Sequence, residues 1–195
     1  MSVQTETTNR YALKEWAVVV DALDRGRQIV LLRKGGIKEP LGDFTVEHRQ
    51  FFLYPTYFHE QRGRVIPEAA AALDTLEPAA PPEDRLVLRD YAVVDATLLV
   101  TDFRQLERLQ PHHILTLAEM DQRFNYRGTL GLHVVLLRVY RLPHPMTLPA
   151  PAAYAGCTSW VTLDVAVSTA GCTPVLDDAA FARAAGAIRG VLAAS

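Results

Sequence analysis

Two apolar runs that each end in a polar cluster lie close together in residues 26–61, which read GRQIVLLRKGGIKEPLGDFTVEHRQFFLYPTYFHEQ. The first run stops at Arg33 and Lys34, and the second stops at Pro55 and Thr56. Short runs of aliphatic and aromatic residues bounded by glycine or proline predict β-strands. Loops that follow rigid strands are common places for binding and catalytic groups. We therefore expect the two polar clusters to converge at one edge of a sheet and to form the functional site.

The first cluster combines positive charge with glycine. Arg33 and Lys34 are followed directly by Gly35 and Gly36. Glycine lets a ligand approach backbone amides, and arginine offers a two-pronged donor for phosphate or carboxylate. The pattern predicts an anion-binding site, and the alternative is a strand end with solvated charges and a glycine turn.

The second cluster supplies aromatic rings and hydrogen-bonding groups within one short segment. Its candidate ligand-binding residues are Tyr54, Thr56, Tyr57, His59 and Gln61. Aromatic faces beside directional polar groups suit a flat base or a sugar. The alternative is a tyrosine-rich strand end that packs on its own helix.

The overall composition is that of an ordinary globular protein. Of 195 residues, 49% are hydrophobic and 22% are charged, and the formal net charge is −2. Such a charge gives no global basic field for coating nucleic acid, although a local basic patch is compatible with it. Cys157 and Cys172 fit neither a zinc pattern nor a disulfide framework, so we expect a reduced, cytoplasmic environment. The polar N-terminus and the lack of an apolar run of about 20 residues predict neither a signal peptide nor a membrane span.

A single α+β domain is predicted for residues 9–195. The proline-rich run at 78–82 is a stiff connector, which leaves open a division into sub-halves 9–77 and 84–195. Residues 66–76 predict a helix in the first half. In the second half, residues 132–142 predict a strand, and the four prolines within 143–151 predict an extended crossing segment.

Local signals place helices at both termini. Asn9 is a candidate N-cap for a helix whose apolar residues recur at helical spacing, and Gly26 is positioned to end it. Asp177 is a candidate cap for the last helix. Between them, Thr116 followed three residues later by Glu119 predicts a capping box.

Metal binding and thiol chemistry are both disfavoured by the sequence. Glu47, His48 and His59 would form a metal or acid–base cluster only if the strands around them paired as a hairpin. The adjacent Glu47 and His48 point to opposite sides of a strand, however. We therefore predict no tightly held metal and no cofactor. Cys157 has no cationic neighbours along the chain and is predicted to be a buried, unreactive thiol.

Several segments together resemble an uncharacterised prokaryotic family known only as a domain of unknown function. The segments are ALKEW at 12–16, RKGGI at 33–37, LYPTY-x-H-x-Q at 53–61 and Y-x-GC-x-SW at 154–160. This resemblance covers most of the chain, and it implies no particular activity.

A second resemblance is to the ASCH branch of the PUA-like domains. It covers the stretch from Leu23 to Arg33, where a helix ends in glycine and a strand ends in arginine, and the strand before Pro143. The resemblance implies an α+β fold with a mixed, barrel-like β-sheet, helices at both termini, and binding of RNA or modified bases. Some ASCH enzymes carry lysine and threonine near this turn, where the present chain has Arg27 and Ile29, so their amidohydrolase chemistry is not implied.

The preferred functional hypothesis is a protein that binds RNA, DNA or a nucleotide. Arg33 and Lys34 would contact phosphate and Tyr57 would stack on a base, while the polar members of the second cluster would read base edges. Whether any reaction is catalysed stays open, and so does the oligomeric state.

Two alternatives belong to other functional classes. One is a hydrolase or nuclease in the same cleft, with Glu47 or His59 as general base and Lys34 as anion stabiliser. The other is a protein-interaction module that docks through the proline-rich segment 143–151.

Overall fold

One mixed β-sheet organises the computed structural model, which describes residues 7–34, 46–57, 59–128, 130–156 and 158–194. Its strands are β1 (Thr8–Trp16), β2 (Val30–Arg33), β3 (Gln50–Thr56), β4 (Arg85–Val100), β5 (Leu132–Pro149), β6 (Trp160–Ser168) and β7 (Thr173–Pro174). The order across the sheet is β2-β5-β4-β3-β1-β6, and β7 pairs with β5. β1 and β3 are parallel, and the other neighbouring strands described are antiparallel. The predicted α+β class is confirmed.

Six α-helices flank the sheet within the described residues. They are α1 (Ala17–Asp24), α2 (Pro67–Ala70), α3 (Leu73–Leu76), α4 (Phe103–Arg108), α5 (Leu117–Phe124) and α6 (Asp178–Ala193). None of them is both long enough and apolar enough to cross a membrane. The helix predicted over 66–76 is divided into α2 and α3.

Apolar side chains are buried on both faces of the sheet. Along β3, Phe51 and Leu53 belong to one buried cluster and Phe52 belongs to another. Because successive side chains of a strand point to opposite faces, the two clusters lie on the two sides of the sheet. This arrangement explains why the strands read as continuous apolar runs rather than as alternating patterns.

The sheet mixes strands from both halves of the chain and curls toward closure. β2, from the first half, pairs with β5 from the second. Three strands separate β2 from β1 in the sheet order, yet Arg33 at the end of β2 donates a hydrogen bond to the Lys14 carbonyl of β1. The hydrogen-bonded ladder therefore does not close on itself, although the sheet curves like a barrel.

The N-terminal helix prediction is wrong for its first half. Residues 8–16 form β1, which lies between β3 and β6, and the helix begins only at Ala17. Asn9 caps no helix, because its side chain accepts from the Tyr11 amide at an irregularity in the β1–β6 pairing. Pairing on both sides supplies β1 with long-range hydrogen bonds that outweigh its helical spacing. The end of the helix is as predicted, with Gly26 at φ +66°.

Three other local predictions have mixed outcomes. Only the first half of the capping box forms: the Thr116 hydroxyl accepts from the Glu119 amide at the start of α5, but the Thr116 amide donates to the Arg64 carbonyl instead of to Glu119. Asp177 likewise caps α6 through the Ala180 amide. The predicted crossing segment is wrong as far as Pro149, since β5 continues to that residue and pairs with β4.

Candidate nucleotide-binding cleft

A cleft of about 670 Å³ opens where β1, β2 and β3 end. β1 and β3 are parallel, whereas β2 runs in the opposite direction, so the end of β2 reaches the same cleft only because the sheet curls. Helix α5 and the segment after Tyr154 form the other walls. The cleft is lined by Lys14, Glu15, Trp16, Leu32, Arg33, Lys34, Tyr54, Thr56, Arg64, Glu119, Gln122, Arg123, Tyr126, Tyr154, Ala155, Gly156, Thr158 and Ser159.

The two predicted polar clusters meet here without forming a hairpin. Arg33 and Lys34 from the first cluster line the same cleft as Tyr54 and Thr56 from the second. Their strands are not neighbours, because β5 and β4 lie between β2 and β3. Convergence comes from the curl of the sheet rather than from strand pairing.

Arg33 forms a buried ion pair. Its Nη1 lies 2.9 Å from Glu15 Oε2 and also donates to the Lys14 carbonyl at 3.3 Å. The Arg33 side chain is 13% exposed and the Glu15 side chain 3% exposed. Glu15 Oε1 accepts from the Trp16 amide at 2.9 Å, so both of its oxygens are bonded. Arg33 thus links β2 to β1, and its positive charge compensates the negative charge of the buried Glu15 carboxylate.

Lys34 fastens the cleft to the segment after α5. Its Nζ donates to the carbonyl oxygens of Phe124 at 2.8 Å and Gly131 at 3.0 Å. Burial lowers the pKa of Lys34 below its ordinary value. The ammonium therefore positions a cleft wall as well as adding positive charge to it.

A second carboxylate, Glu119 on α5, binds two arginines. Arg123 Nε lies 2.6 Å from Glu119 Oε1, and Arg64 Nη1 lies 3.2 Å from Glu119 Oε2. The Glu119 side chain is 4% exposed, whereas that of Arg64 is 35% exposed. Arg123 also donates from Nη1 to the Leu32 carbonyl at 3.0 Å, and its guanidinium lies 4.5 Å from the centre of the Trp16 ring.

These residues give the cleft a surplus of positive charge. Five cationic side chains line its described walls, against two carboxylates. Both carboxylates are buried and already bonded to arginine. The remaining charge favours an anionic ligand, and it acts more strongly in a partly desolvated cleft than on an open surface.

Tyr54 and Thr56 provide the wall next to this charge. Lys14 Nζ donates to the Gly156 carbonyl at 3.1 Å and lies 5.9 Å from the Tyr54 ring centre. Thr56 donates from its hydroxyl to the Glu15 carbonyl at 3.1 Å, which ties the end of β3 to β1. Burial raises the pKa of Tyr54 above its ordinary value, so its ring stays neutral near pH 7.

Other predicted site residues lie elsewhere or outside the described structure. Tyr57 does not line this cleft but lines two neighbouring cavities. Gln61 is buried and donates from Nε2 to the Thr56 carbonyl at 2.8 Å, so it supports the end of β3 instead of reading a base. Gly35, Gly36 and the side chain of His59 lie outside the described residues.

A family profile described as a domain of unknown function, DUF1802, matches residues 12–187. The chain belongs to the DUF1802 family. The matched range contains every described cleft residue, from Lys14 to Ser159, so the cleft is part of the DUF1802 domain itself. The resemblance to a domain of unknown function seen in the sequence is thus confirmed. A comparison with curated proteins finds no match.

Solved structures of ASCH from Zymomonas mobilis are similar to this DUF1802 chain. One of them has 16% sequence identity and a TM-score of 0.42, and the match covers 78% of this chain and 86% of that one. A serine-to-alanine variant has 15% identity and a TM-score of 0.43, covering 82% of this chain and 91% of that one. At this level of similarity, the function of the DUF1802 chain has to be argued from its own cleft.

Only Glu47 and His48 of the possible acid–base cluster can be placed in this DUF1802 domain, because the His59 side chain lies outside the described residues. The His48 ring stacks on Tyr11 with centroids 3.4 Å apart and meets the edge of Trp160 at 5.2 Å. Glu47 is exposed, and neither it nor His48 lines the cleft. Among the described residues, no group of three or more His, Cys, Asp or Glu side chains is placed to hold a metal ion. Cys157 lies outside the described residues, so its predicted burial stays a prediction.

Sequence reasoning selected only Arg33 and Lys34 among the seven charged side chains that line the described cleft. Glu15, Arg64 and Arg123 were not selected, and Glu119 was noted only as part of a capping box. The spacing of Glu119 and Arg123 on one capped helix was a usable signal, since residues four apart on a helix face each other. No local signal pairs Glu15 with Arg33, because they lie on strands that are not adjacent.

Proposed function

We propose that this cleft binds a nucleotide or nucleic acid, with phosphate at its cationic wall and a base against its aromatic wall. The observation that carries the proposal is the excess of lysine and arginine around two carboxylates that are already neutralised, directly beside Trp16 and Tyr54. Arginine matches phosphate with paired donors, and aromatic rings accept any base by stacking. RNA, DNA and free nucleotides all present this combination.

Among the cations of the cleft, Arg123 has the side chain that is best held in position to bind phosphate. Glu119 and the Leu32 carbonyl fix two of its nitrogens, and the Trp16 ring packs on its face. Its Nη2 makes no hydrogen bond to any residue in the described ranges. A guanidinium held in place before binding loses little conformational entropy when the ligand arrives.

The other cations take supporting roles in the proposal. Arg64 is partly exposed at the cleft wall and adds a second donor toward the phosphate. Arg33 and Lys34, proposed from the sequence as phosphate ligands, contribute positive charge while their hydrogen bonds hold the walls together. Tyr54 replaces Tyr57 as the proposed stacking residue within the cleft.

Binding is better supported than hydrolysis by the described contacts. Both cleft carboxylates, Glu15 and Glu119, are bonded to arginine, which leaves them poorly placed to take a proton from substrate. The sequence-based candidate Glu47 lies outside the cleft lining. The docking alternative through 143–151 is likewise weakened, because residues 146–149 of that segment pair with β4.

Salt titration of oligonucleotide binding tests the proposal. For a short single-stranded oligonucleotide, Arg64→Gln should reduce the slope of log affinity against log salt by about 0.7, the value of one lost phosphate contact. Tyr54→Ala should weaken binding by about 1–3 kcal/mol and leave the slope unchanged, because stacking releases no counterions. Fluorescence anisotropy over a salt series measures both effects.

Arg183→Gln is the matched control for this titration. Arg183 is exposed on α6 and does not line the cleft, so its loss should leave affinity and slope unchanged. If the wild-type protein binds neither nucleotide nor oligonucleotide at low salt, the proposed function is wrong. Equal losses for Arg64→Gln and Arg183→Gln would show non-specific charge attraction instead of a site.

A further inference from the structure

A second groove of about 740 Å³ adjoins the cleft. Tyr54, Thr56, Tyr154 and Ala155 line both spaces, so the end of β3 and the 154–155 segment form a shared wall. Tyr57 lines the groove. A ligand that fills the cleft can therefore extend across this wall into the groove.

The charge in the groove is opposite to that in the cleft. Glu77, Glu83 and Asp84 line it, and the cation beside them, Arg85, lies 3.6 Å from Asp84 in an exposed ion pair. The remaining walls are largely proline, alanine and tyrosine. Positive potential thus gives way to negative potential across the shared wall.

We propose that the site takes a single nucleotide unit with a terminal phosphate, placed with its phosphate in the cleft and its base across Tyr54 into the groove. This inference rests on the proposed function and narrows its ligand class. A neutral base or ribose suits an acidic, tyrosine-lined groove, whereas the next phosphate of a continuing strand does not.

The charges that line the groove distinguish a single bound nucleotide from a continuing nucleic-acid strand. A strand that ran from the cleft into the groove would bring its next phosphate beside Glu83 and Asp84, both exposed at the groove. Like charges brought together in a complex disfavour the wrong partner. The two spaces also have the size of small-molecule pockets rather than that of a long channel.

The groove also gives Tyr57 a role that the cleft alone does not. Its ring lies on the groove side of β3, half-buried, and burial raises the pKa of its hydroxyl above the ordinary value. Tyr54 and Tyr57 then contact the same ligand from the shared wall and from the groove. Tyr57 therefore keeps the stacking role predicted from sequence. In this placement the phosphate lies in the cleft and the base lies in the groove, on opposite sides of the shared wall.

A comparison of the affinities for a mononucleotide and for an oligonucleotide tests the inference. We expect a nucleoside monophosphate to bind within about threefold of an oligonucleotide carrying the same terminal phosphate, with the same salt slope, because only one phosphate is held. The matching nucleoside without phosphate should bind about tenfold more weakly or worse. Isothermal titration calorimetry on the full chain, with the three ligands over a salt series, gives these values.

A variant of the groove separates its role from that of the cleft. Glu83→Gln with Asp84→Asn removes two exposed charges and should tighten oligonucleotide binding at least about threefold relative to mononucleotide binding. An oligonucleotide that binds wild type more than about tenfold more tightly than the mononucleotide, with a steeper salt slope, would overturn the single-unit inference but not the proposed function. Absence of binding by all three ligands would overturn both.

Discussion

Replacing Arg33 by alanine should lower the free energy of unfolding by about 3–5 kcal/mol, because it leaves the Glu15 carboxylate buried without its cation. The Glu15 side chain is 3% exposed, and Arg33 Nη1 lies 2.9 Å from it. The backbone amide of Trp16 still donates to the other carboxylate oxygen, but one neutral donor does not replace a guanidinium. Urea unfolding followed by circular dichroism at neutral pH measures the loss.

Two variants test whether the lost stability comes from the unpaired Glu15 carboxylate. Combining Arg33→Met with Glu15→Gln removes both charges and should recover much of the lost stability, since a buried pair often can be replaced by neutral groups. Arg25→Ala removes an exposed i,i+4 partner of Asp21 and should change stability by less than about 1 kcal/mol. A loss for Arg33→Ala no larger than that for Arg25→Ala would contradict the buried-pair account.

Replacing Asp90 by asparagine should stabilise the protein at and above neutral pH. Asp90 on β4 is 1% exposed, and its Oδ1 has no hydrogen-bond partner within the described structure. Burial, followed by the nearby Asp24 carboxylate, raises the pKa of Asp90 to about 8. The folded state therefore binds a proton more tightly than the unfolded chain, whose aspartate pKa is about 3.9.

The sign of the pH dependence follows from that difference. Between the two pKa values the unfolded chain binds fewer protons, so stability falls as pH rises, by up to about 1.4 kcal/mol per pH unit for one group. Asp90→Asn should remove this slope, and Asp164→Asn, at an exposed site, should not. Thermal unfolding of the three proteins over a pH series provides the comparison.

The titration of His113 limits the pH range over which the pH dependence of stability can be assigned to Asp90 alone. Burial lowers the pKa of His113 to about 4, so the neutral ring stabilises the fold above the unfolded pKa of about 6.5 and that contribution is lost as pH falls toward 4. The two groups oppose each other below about pH 6.5. Between about pH 6.5 and 8 the slope belongs to Asp90, and an unchanged slope there in Asp90→Asn would contradict the raised pKa.

Local sequence signals were reliable where the structure depends on neighbours in the chain. The Thr116 N-cap, the Asp177 cap and the left-handed Gly26 all occur as predicted. Each of these features needs only a side chain and a backbone group a few residues apart. Two strand ends were located for a similar reason, because the apolar runs stop at Arg33 and Thr56, where β2 and β3 end.

Long-range pairing accounts for the predictions that were wrong. Residues 8–16 carry helical spacing but become β1, because β3 and β6 satisfy their backbone from both sides. The hairpin between β2 and β3 does not form, because β5 and β4 lie between them. Neither outcome depends on local propensity, which tertiary context overrides.

The sequence by itself determined the α+β class, the helix ends and which strand ends carry polar residues. Only the tertiary structure decided that Arg33 pairs with Glu15, that Glu119 also binds Arg64, and that Tyr57 lines an adjoining groove. Charges on separate elements meet only when the sheet curls. Their partners, and hence the net charge offered to a ligand, are set by distance in space, about which spacing along the chain says nothing.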